Sequence, residues 1–112
     1  MHPFPFVVVL TTVPEDFDAI PLAGELVEQR LVACVNILPA MQSVYRWAGS
    51  VQTNSERQLV MKTSRSQVDA LWIALRARHP YDVPEFVVLP ILDGHDQYLA
   101  WIKDSTEVRG QN

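Results

Sequence analysis

The chain is poor in cysteine and has no long apolar run. Cys34 is the single cysteine among 112 residues, so no internal disulfide can form and nothing favours an oxidising compartment. The apolar run at residues 5–10 is too short to span a bilayer, and the first residues lack the charged start and apolar core of a secretory signal. We therefore expect a cytoplasmic protein with no membrane partner.

An excess of positive charge is also absent. The chain has nine Lys and Arg residues and thirteen Asp and Glu residues, which gives a net charge of −4. A protein that binds the phosphate backbone needs a basic patch, and here the basic residues are scattered, so we expect no nucleic-acid partner. The chain carries neither a Gly-rich phosphate loop nor a Gly-x-Ser-x-Gly elbow. We expect that it is not an enzyme.

The sequence is otherwise typical of one globular domain. Hydrophobic residues make up 48% and charged residues 20%, which is ordinary composition, and 112 residues suffice for one domain. We place that domain at residues 6–106, with tails at 1–5 and 107–112.

The hydrophobic pattern predicts four strands and three helices. The strands are expected at residues 6–12, 33–47 with a break at Pro39, 58–63 and 86–89. The helices are expected at residues 18–31, 66–79 and 98–102. In the first helix the apolar stripe runs through residues 20, 23, 27 and 31 and is flanked by Leu22 and Leu26. In the second helix Ser66 is expected to be the N-cap.

The order β-α-β-β-α-β-α predicts the fold. Two strand–helix–strand units joined through a central hairpin give an α+β, ferredoxin-like βαββαβ sandwich with a short C-terminal helix. Two helices would cover one sheet face and leave the other bare and partly apolar. Because large exposed apolar patches mark interfaces, we expect obligate self-association.

The stretch His79-Pro80-Tyr81-Asp82-Val83-Pro84-Glu85 stands out for its chemistry. Two prolines make it a stiff connection, and it concentrates an imidazole, a phenol and two carboxylates. A rigid loop rich in polar groups suits binding or chemistry, although a structural turn between a helix and a strand is the alternative.

Several separate motifs follow one another in a recognisable order. They are Ala33-Cys34-Val35-Asn36-Ile37-x-Pro39, Ser43-x-Tyr45-x-Trp47-x-Gly49, Glu56 with Leu59 and Lys62-Thr63, His79-Pro80-Tyr81-x-x-Pro84-Glu85, Pro90, and Tyr98-Leu99-x-Trp101. From residue 7 to 102 the chain thereby resembles the CutA family of divalent-cation tolerance proteins. The resemblance implies a ferredoxin-like subunit in a tight homotrimer, a link to copper and other divalent metals, and an architecture like that of PII signalling proteins.

Three residues are candidate metal ligands: Cys34, His79 and Glu85. Thiolate suits Cu(I), and imidazole suits Cu(II) and Zn. The alternatives are that Cys34 is a small core residue and that His79 caps the C-terminus of its helix. His2 and His95 are expected to bind metal only adventitiously. Since a closed transition-metal site needs about four ligands, we do not expect a tight cage within one chain, and a site completed across a trimer interface is left open.

A second group is predicted to line a ligand pocket or an interface: Tyr45, Trp47, Lys62, Asp82, Tyr98 and Trp101. Aromatic residues with a polar handle are also enriched in plain interface packing, and a surface salt bridge is the ordinary alternative for Lys62.

Three functions remain open from the sequence. The first is a trimeric protein that binds copper or another divalent metal ion and contributes to metal homeostasis. The second is a PII-like signalling module that binds a small anionic ligand between subunits. The third is a rigid trimeric scaffold without a ligand.

Overall fold

The structure, a computed structural model, describes residues 3–108. His2 and the ends of both predicted tails lie outside the described residues. The elements in chain order are β1 (Phe6–Pro14), α1 (Ala19–Glu28), β2 (Cys34–Ile37), β3 (Met41–Trp47), β4 (Ser50–Ser64), α2 (Val68–Arg78), β5 (Val87–Pro90) and α3 (Asp96–Thr106). No helix within 3–108 has the length and apolar character needed to cross a membrane.

All the strands belong to one antiparallel sheet. Its order is β2-β4-β1-β5, and β3 also pairs with β4. The break predicted at Pro39 separates β2 from β3, because proline has no N–H to give to the ladder. The α+β class is confirmed. The structure has five strands where four were predicted, because the second predicted strand is divided at Pro39.

The strand register defines two faces of the sheet. Val9 lies opposite Met61 and belongs to the face that α1 and α2 cover, which we call the helix face. Val8 lies opposite Lys62 and belongs to the other face, which we call the open face. The main core lies on the helix face and includes Val7, Val9, Met61, Leu22, Leu26, Leu71 and Leu75.

The start of α1 is confirmed, but the buried stripe is centred on the leucines that were predicted to flank it. Asp18 caps the helix by accepting a hydrogen bond from the Ile20 backbone N–H at 3.2 Å. The buried residues are Ala19, Leu22 and Leu26, whereas Ile20 is 70% exposed and Val27 41% exposed. The two stripes differ by one residue, a rotation of about 100°, and both are apolar, so periodicity alone could not choose between them.

The second helix starts later than expected. A 3-10 turn at Arg65–Gln67 precedes Val68, so Ser66 is not the N-cap. Gln67, the residue before α2, links this helix start to the segment after α1 and to the end of α3. Its Nε2 donates to the carbonyls of Arg30 and Thr106 at 3.0 and 2.9 Å. The predicted end is confirmed, with His79 as the C-cap.

The β3–β4 hairpin is longer than the sequence indicated. β4 runs for 15 residues, and its pairing with β1 ends where Pro14 meets Glu56. The arm beyond that point, in which 42–47 pair with 50–55, is a two-stranded ribbon. Its turn has φ of 51° at Ala48 and 83° at Gly49, which is the type I′ geometry of tight hairpins.

The open face is not bare along its whole length, contrary to expectation. α3 covers one end of it, where Thr106 is hydrogen-bonded to Ser64 and Ile102 is fully buried. Elsewhere apolar side chains remain accessible, including Val87 at 43% and Leu89 at 44% exposure.

Candidate functional site

A pocket of about 660 Å³ lies on the open face and extends from the base of the hairpin arm along β3. Its lining comes from β1, β3, β4 and the loop after α2: Thr12, Met41, Ser43, Tyr45, Trp47, Glu56, Gln58, Tyr81, Asp82, Val83, Pro84 and Glu85. Its volume falls in the range of small-molecule sites.

The floor of the pocket follows from strand alternation. Side chains two residues apart in a strand share a face, so the odd-numbered residues of β3, from Met41 to Trp47, point the same way. The register places Glu56 opposite Met41 and Gln58 opposite Thr12. Aromatic rings and a carboxylate are therefore brought to one surface by two strands.

His79 anchors the start of the loop that forms the wall. Its Nε2 lies 2.8 Å from the Thr12 carbonyl oxygen and 3.2 Å from Thr11 Oγ1. Its Nδ1 accepts the backbone N–H of Tyr81 at 3.0 Å. The ring is therefore neutral with its proton on Nε2, because Nδ1 must accept and a carbonyl can only accept. Burial lowers the pKa of His79, against the opposing effects of the Thr12 carbonyl and Glu56.

Tyr81 joins this loop to the floor. Its hydroxyl donates to Glu56 Oε2 at 2.6 Å, and Glu56 is only 7% exposed. Burial raises the pKa of Tyr81 well above its usual value, and the hydrogen bond and the negative charge of Glu56 add to the effect. The phenol therefore keeps its proton and remains a hydrogen-bond donor to the carboxylate.

Glu85 is held at the far end of the loop. Gln58 Nε2 donates both to Glu85 Oε2 at 3.0 Å and to the Thr11 carbonyl at 2.7 Å. Asp82 lies between Tyr81 and Glu85 on the exposed lip. Three carboxylates thus border a pocket that also has three aromatic rings.

The residues predicted as pocket lining fall into two groups. Tyr45, Trp47 and Asp82 lie in the pocket together with Glu85. Lys62, Tyr98 and Trp101 form a separate cluster against α3, where Lys62 Nζ lies 5.7 Å from the centroid of the Tyr98 ring and the two aromatic rings are 5.3 Å apart.

The two groups are separated along β4. Lys62 follows Gln58 by four residues in an extended strand, a distance of about 13 Å. Its Nζ donates to Asn36 Oδ1 at 3.3 Å. Its charge is therefore directed to the edge of the sheet and not to the pocket.

The predicted metal ligands are not brought together. Cys34 pairs with Lys62 and so belongs to the open face, whereas His79 contacts Thr11 on the helix face. Within residues 3–108 no three His, Cys, Asp or Glu side chains form a group that could hold a metal ion. Metal binding by Cys34, His79 and Glu85 therefore stays a prediction.

Sequence reasoning missed Glu56, Gln58 and Tyr81 as site residues. Glu56 and Tyr81 belong to the motifs quoted above, and Glu56 and Gln58 are two positions apart, as residues on one strand face are. The shared face of Glu56 and Gln58 could not be recognised because the first half of β4 is polar. The sequence therefore predicts a strand that begins only at residue 58.

Comparisons with known proteins agree on one family. The family described as CutA1 divalent ion tolerance protein matches residues 7–105. The chloroplastic protein CutA 1 of Oryza sativa is 48% identical over 102 residues, which are 91% of this chain and 58% of that protein. The divalent-cation tolerance protein CutA of Thermus thermophilus is 46% identical over 99 residues, which are 88% of this chain and 96% of its own.

A solved structure extends the agreement to the fold. The crystal structure of CutA1 from Oryza sativa matches with a TM-score of 0.87 at 47% identity, covering 93% of this chain and 95% of that one. The chain spans little more than half the length of the rice protein but nearly all of the Thermus one. By sequence and by structure, this chain belongs to the CutA1 divalent ion tolerance family.

Proposed function

We propose that this chain is a divalent-cation tolerance protein that acts as a homotrimer of ferredoxin-like subunits and binds copper or another divalent metal ion at the pocket. The observation that carries the proposal is the placement of Glu56, Asp82 and Glu85 around one pocket that opens outward. Carboxylates attract divalent cations, and Cu(II) is the strongest binder of the first-row series at nitrogen and oxygen ligands.

The assembly is proposed because the site is incomplete in one subunit. Three carboxylates border the pocket, yet no metal-holding group forms within residues 3–108. A neighbouring copy that packs on the apolar part of the open face would bring further donors to its rim. The strand order β2-β4-β1-β5 supports the ferredoxin-like assignment, and the exposed Val87 and Leu89 support self-association.

Of the three predicted ligands, Glu85 is the one that the proposal places at the metal. Both nitrogens of His79 already have partners, and its role in the proposal is to position the loop. Cys34 lies on β2 outside the pocket lining, so a metal ion bound by its thiolate would occupy a different site from the pocket.

The experiment is a calorimetric titration of the purified protein with Cu(II) and Zn(II), together with sedimentation velocity. Glu85→Gln is expected to weaken binding at least tenfold. The matched control Glu107→Gln, which neutralises an exposed carboxylate after α3, is expected to leave it unchanged, as is Cys34→Ser. No heat with the parent protein, or full binding by Glu85→Gln, would contradict the proposal.

A PII-like role for an anionic ligand has less support from the pocket. Among residues 3–108 the lining holds three carboxylates and no lysine or arginine, and Lys62 is engaged elsewhere with Asn36 and Tyr98. Such a ligand would need cations from a second copy. A cytoplasmic location stays a prediction, and the relatives from rice and Arabidopsis thaliana carry chloroplastic names.

A further inference from the structure

The walls of the pocket are aromatic as well as acidic. Tyr45 and Trp47 contribute rings from β3, and Tyr81 contributes one from the loop. Trp47 is 56% exposed and Tyr45 37% exposed in the single subunit, so these pocket-lining residues are not buried in its core. The face of an aromatic ring attracts cations through the quadrupole of the ring.

The charges around these rings are of one sign. Glu56, Asp82 and Glu85 line the pocket, and the basic residues next to them in sequence point elsewhere. Arg57 donates to the carbonyls of Glu15 and Leu38 at 3.3 Å each.

Arg46 is directed away as well. It lies between Tyr45 and Trp47 in β3, and successive side chains of a strand alternate between faces. The field inside the pocket is therefore negative, and no lysine or arginine is part of the described lining.

The space exceeds what one metal ion would fill. About 660 Å³ is available, and the walls include the apolar side chains of Met41, Val83 and Pro84. An ion with methyl or methylene groups would contact these walls and the rings while its charge faced the carboxylates.

We infer that this pocket binds a small organic cation, an amine or quaternary ammonium compound, between the rings of Tyr45, Trp47 and Tyr81 and the carboxylates of Glu56, Asp82 and Glu85. The inference shares the pocket of the proposed function but requires no bound metal. A lysine or arginine side chain from a second copy is the competing occupant, and it would leave no room for a free ligand.

The test is a titration of the full chain, stripped of metal with EDTA, with choline chloride. Two solution controls accompany it: sodium chloride at equal ionic strength, and 3,3-dimethylbutan-1-ol, which has the shape of choline without its charge. The expected result is saturable choline binding that is at least fivefold tighter than that of the neutral alcohol, since one cation–π contact of about 1 kcal/mol corresponds to roughly fivefold.

Matched variants locate the site. Trp47→Leu and Asp82→Asn are expected to weaken choline binding at least fivefold, while Trp101→Leu and Asp104→Asn, which make the same changes outside the pocket, remain within twofold of the parent protein. Circular dichroism of each variant checks that the fold is retained.

Three outcomes would overturn the inference: no choline binding by the parent protein, equal binding of the neutral alcohol, or full binding by Trp47→Leu. Failure here is distinguishable from failure of the proposed function. If Glu85→Gln loses copper binding and the parent protein does not bind choline, the metal role alone is upheld. If the parent protein binds choline but shows no copper binding that depends on Glu85, the organic cation alone is upheld.

Discussion

The Tyr81 hydroxyl donates to Glu56 Oε2 at 2.6 Å, and this contact joins the loop after α2 to the longest strand of the sheet. The two residues are 25 positions apart in the chain. Their bond holds one wall of the pocket against its floor. It also gives a nearly buried carboxylate the hydrogen-bond donor that it needs.

Removal of that donor is expected to be costly. Tyr81→Phe leaves Glu56 without the phenol, so the free energy of unfolding should fall by about 1–3 kcal/mol, the usual effect of an unsatisfied buried group. Urea unfolding at a fixed protein concentration measures it. Tyr98→Phe, which makes the same change on a ring 41% exposed, should cost under about 0.5 kcal/mol. Equal losses in both variants would show that the bond adds no stability.

The stability of the protein should depend on the protonation of His79. Burial lowers the pKa of His79 in the folded protein below the usual histidine value of 6.5, so the unfolded chain binds the proton more readily. The contribution is therefore fully present above about pH 6.5 and is lost as the pH falls through 6.5 toward the folded pKa.

Urea unfolding from pH 8 to pH 5.5 measures this effect. His79→Gln should remove a component of the pH dependence over that window, while its stability at pH 8 falls by about 1–3 kcal/mol. His95→Gln, at an exposed position, should keep the parent profile. A parent profile retained by His79→Gln would assign the dependence to other groups.

The hairpin turn offers a test of backbone strain. Ala48 has φ of 51° and Gly49 of 83°, and asparagine followed by glycine is the preferred pair for this turn. Ala48→Asn should stabilise the protein by about 0.5–1 kcal/mol, and Gly49→Ala should destabilise it by about 1–2 kcal/mol.

Contacts cannot explain a loss at Gly49, because a Cβ there would meet no heavy atom within 4 Å. Thermal melts at one protein concentration record both changes. If Gly49→Ala melted at the same temperature as the parent protein, the positive φ at residue 49 would not destabilise an alanine there.

A charge on the open face should disrupt the proposed trimer. Leu89 is 44% exposed beside Val87 in β5, and a lysine there would have to lose its hydration in an interface. Leu89→Lys is expected to move the sedimenting species from three times 12.7 kDa toward 12.7 kDa. Ile73→Lys is the control, since Ile73 is 70% exposed on α2 and lies away from this face. A trimer retained by Leu89→Lys would remove β5 from the interface.

Most helix and strand positions could be predicted from the sequence, because prolines end helices and strands and because the spacing of apolar residues differs between the two. Asp18 before an apolar segment predicted the helix start, and Pro80 predicted the end at His79. The rotation of α1 was not readable, because Ile20 and Val27 are as apolar as Leu22 and Leu26. Only the contact of the helix with the sheet decides between them.

About half of the candidate site was readable. Tyr45, Trp47, Asp82 and Glu85 do share one pocket, but Lys62 belongs to another cluster. The division follows from the length of β4, which places Lys62 on the same face as Gln58 but about 13 Å further along the strand. The polar segment from residue 50 to 57 lacks the alternating pattern that would have revealed that length.

The reach of β4 past the end of β1 has a practical consequence. Within the described residues, 42–47 and 50–55 have only each other as strand partners, and an isolated ribbon of two strands is marginally stable in water. Its amide protons should therefore exchange quickly in a solitary chain and slowly wherever a neighbour shelters them. Deuterium uptake along this arm would therefore report subunit association without any covalent tag on the protein.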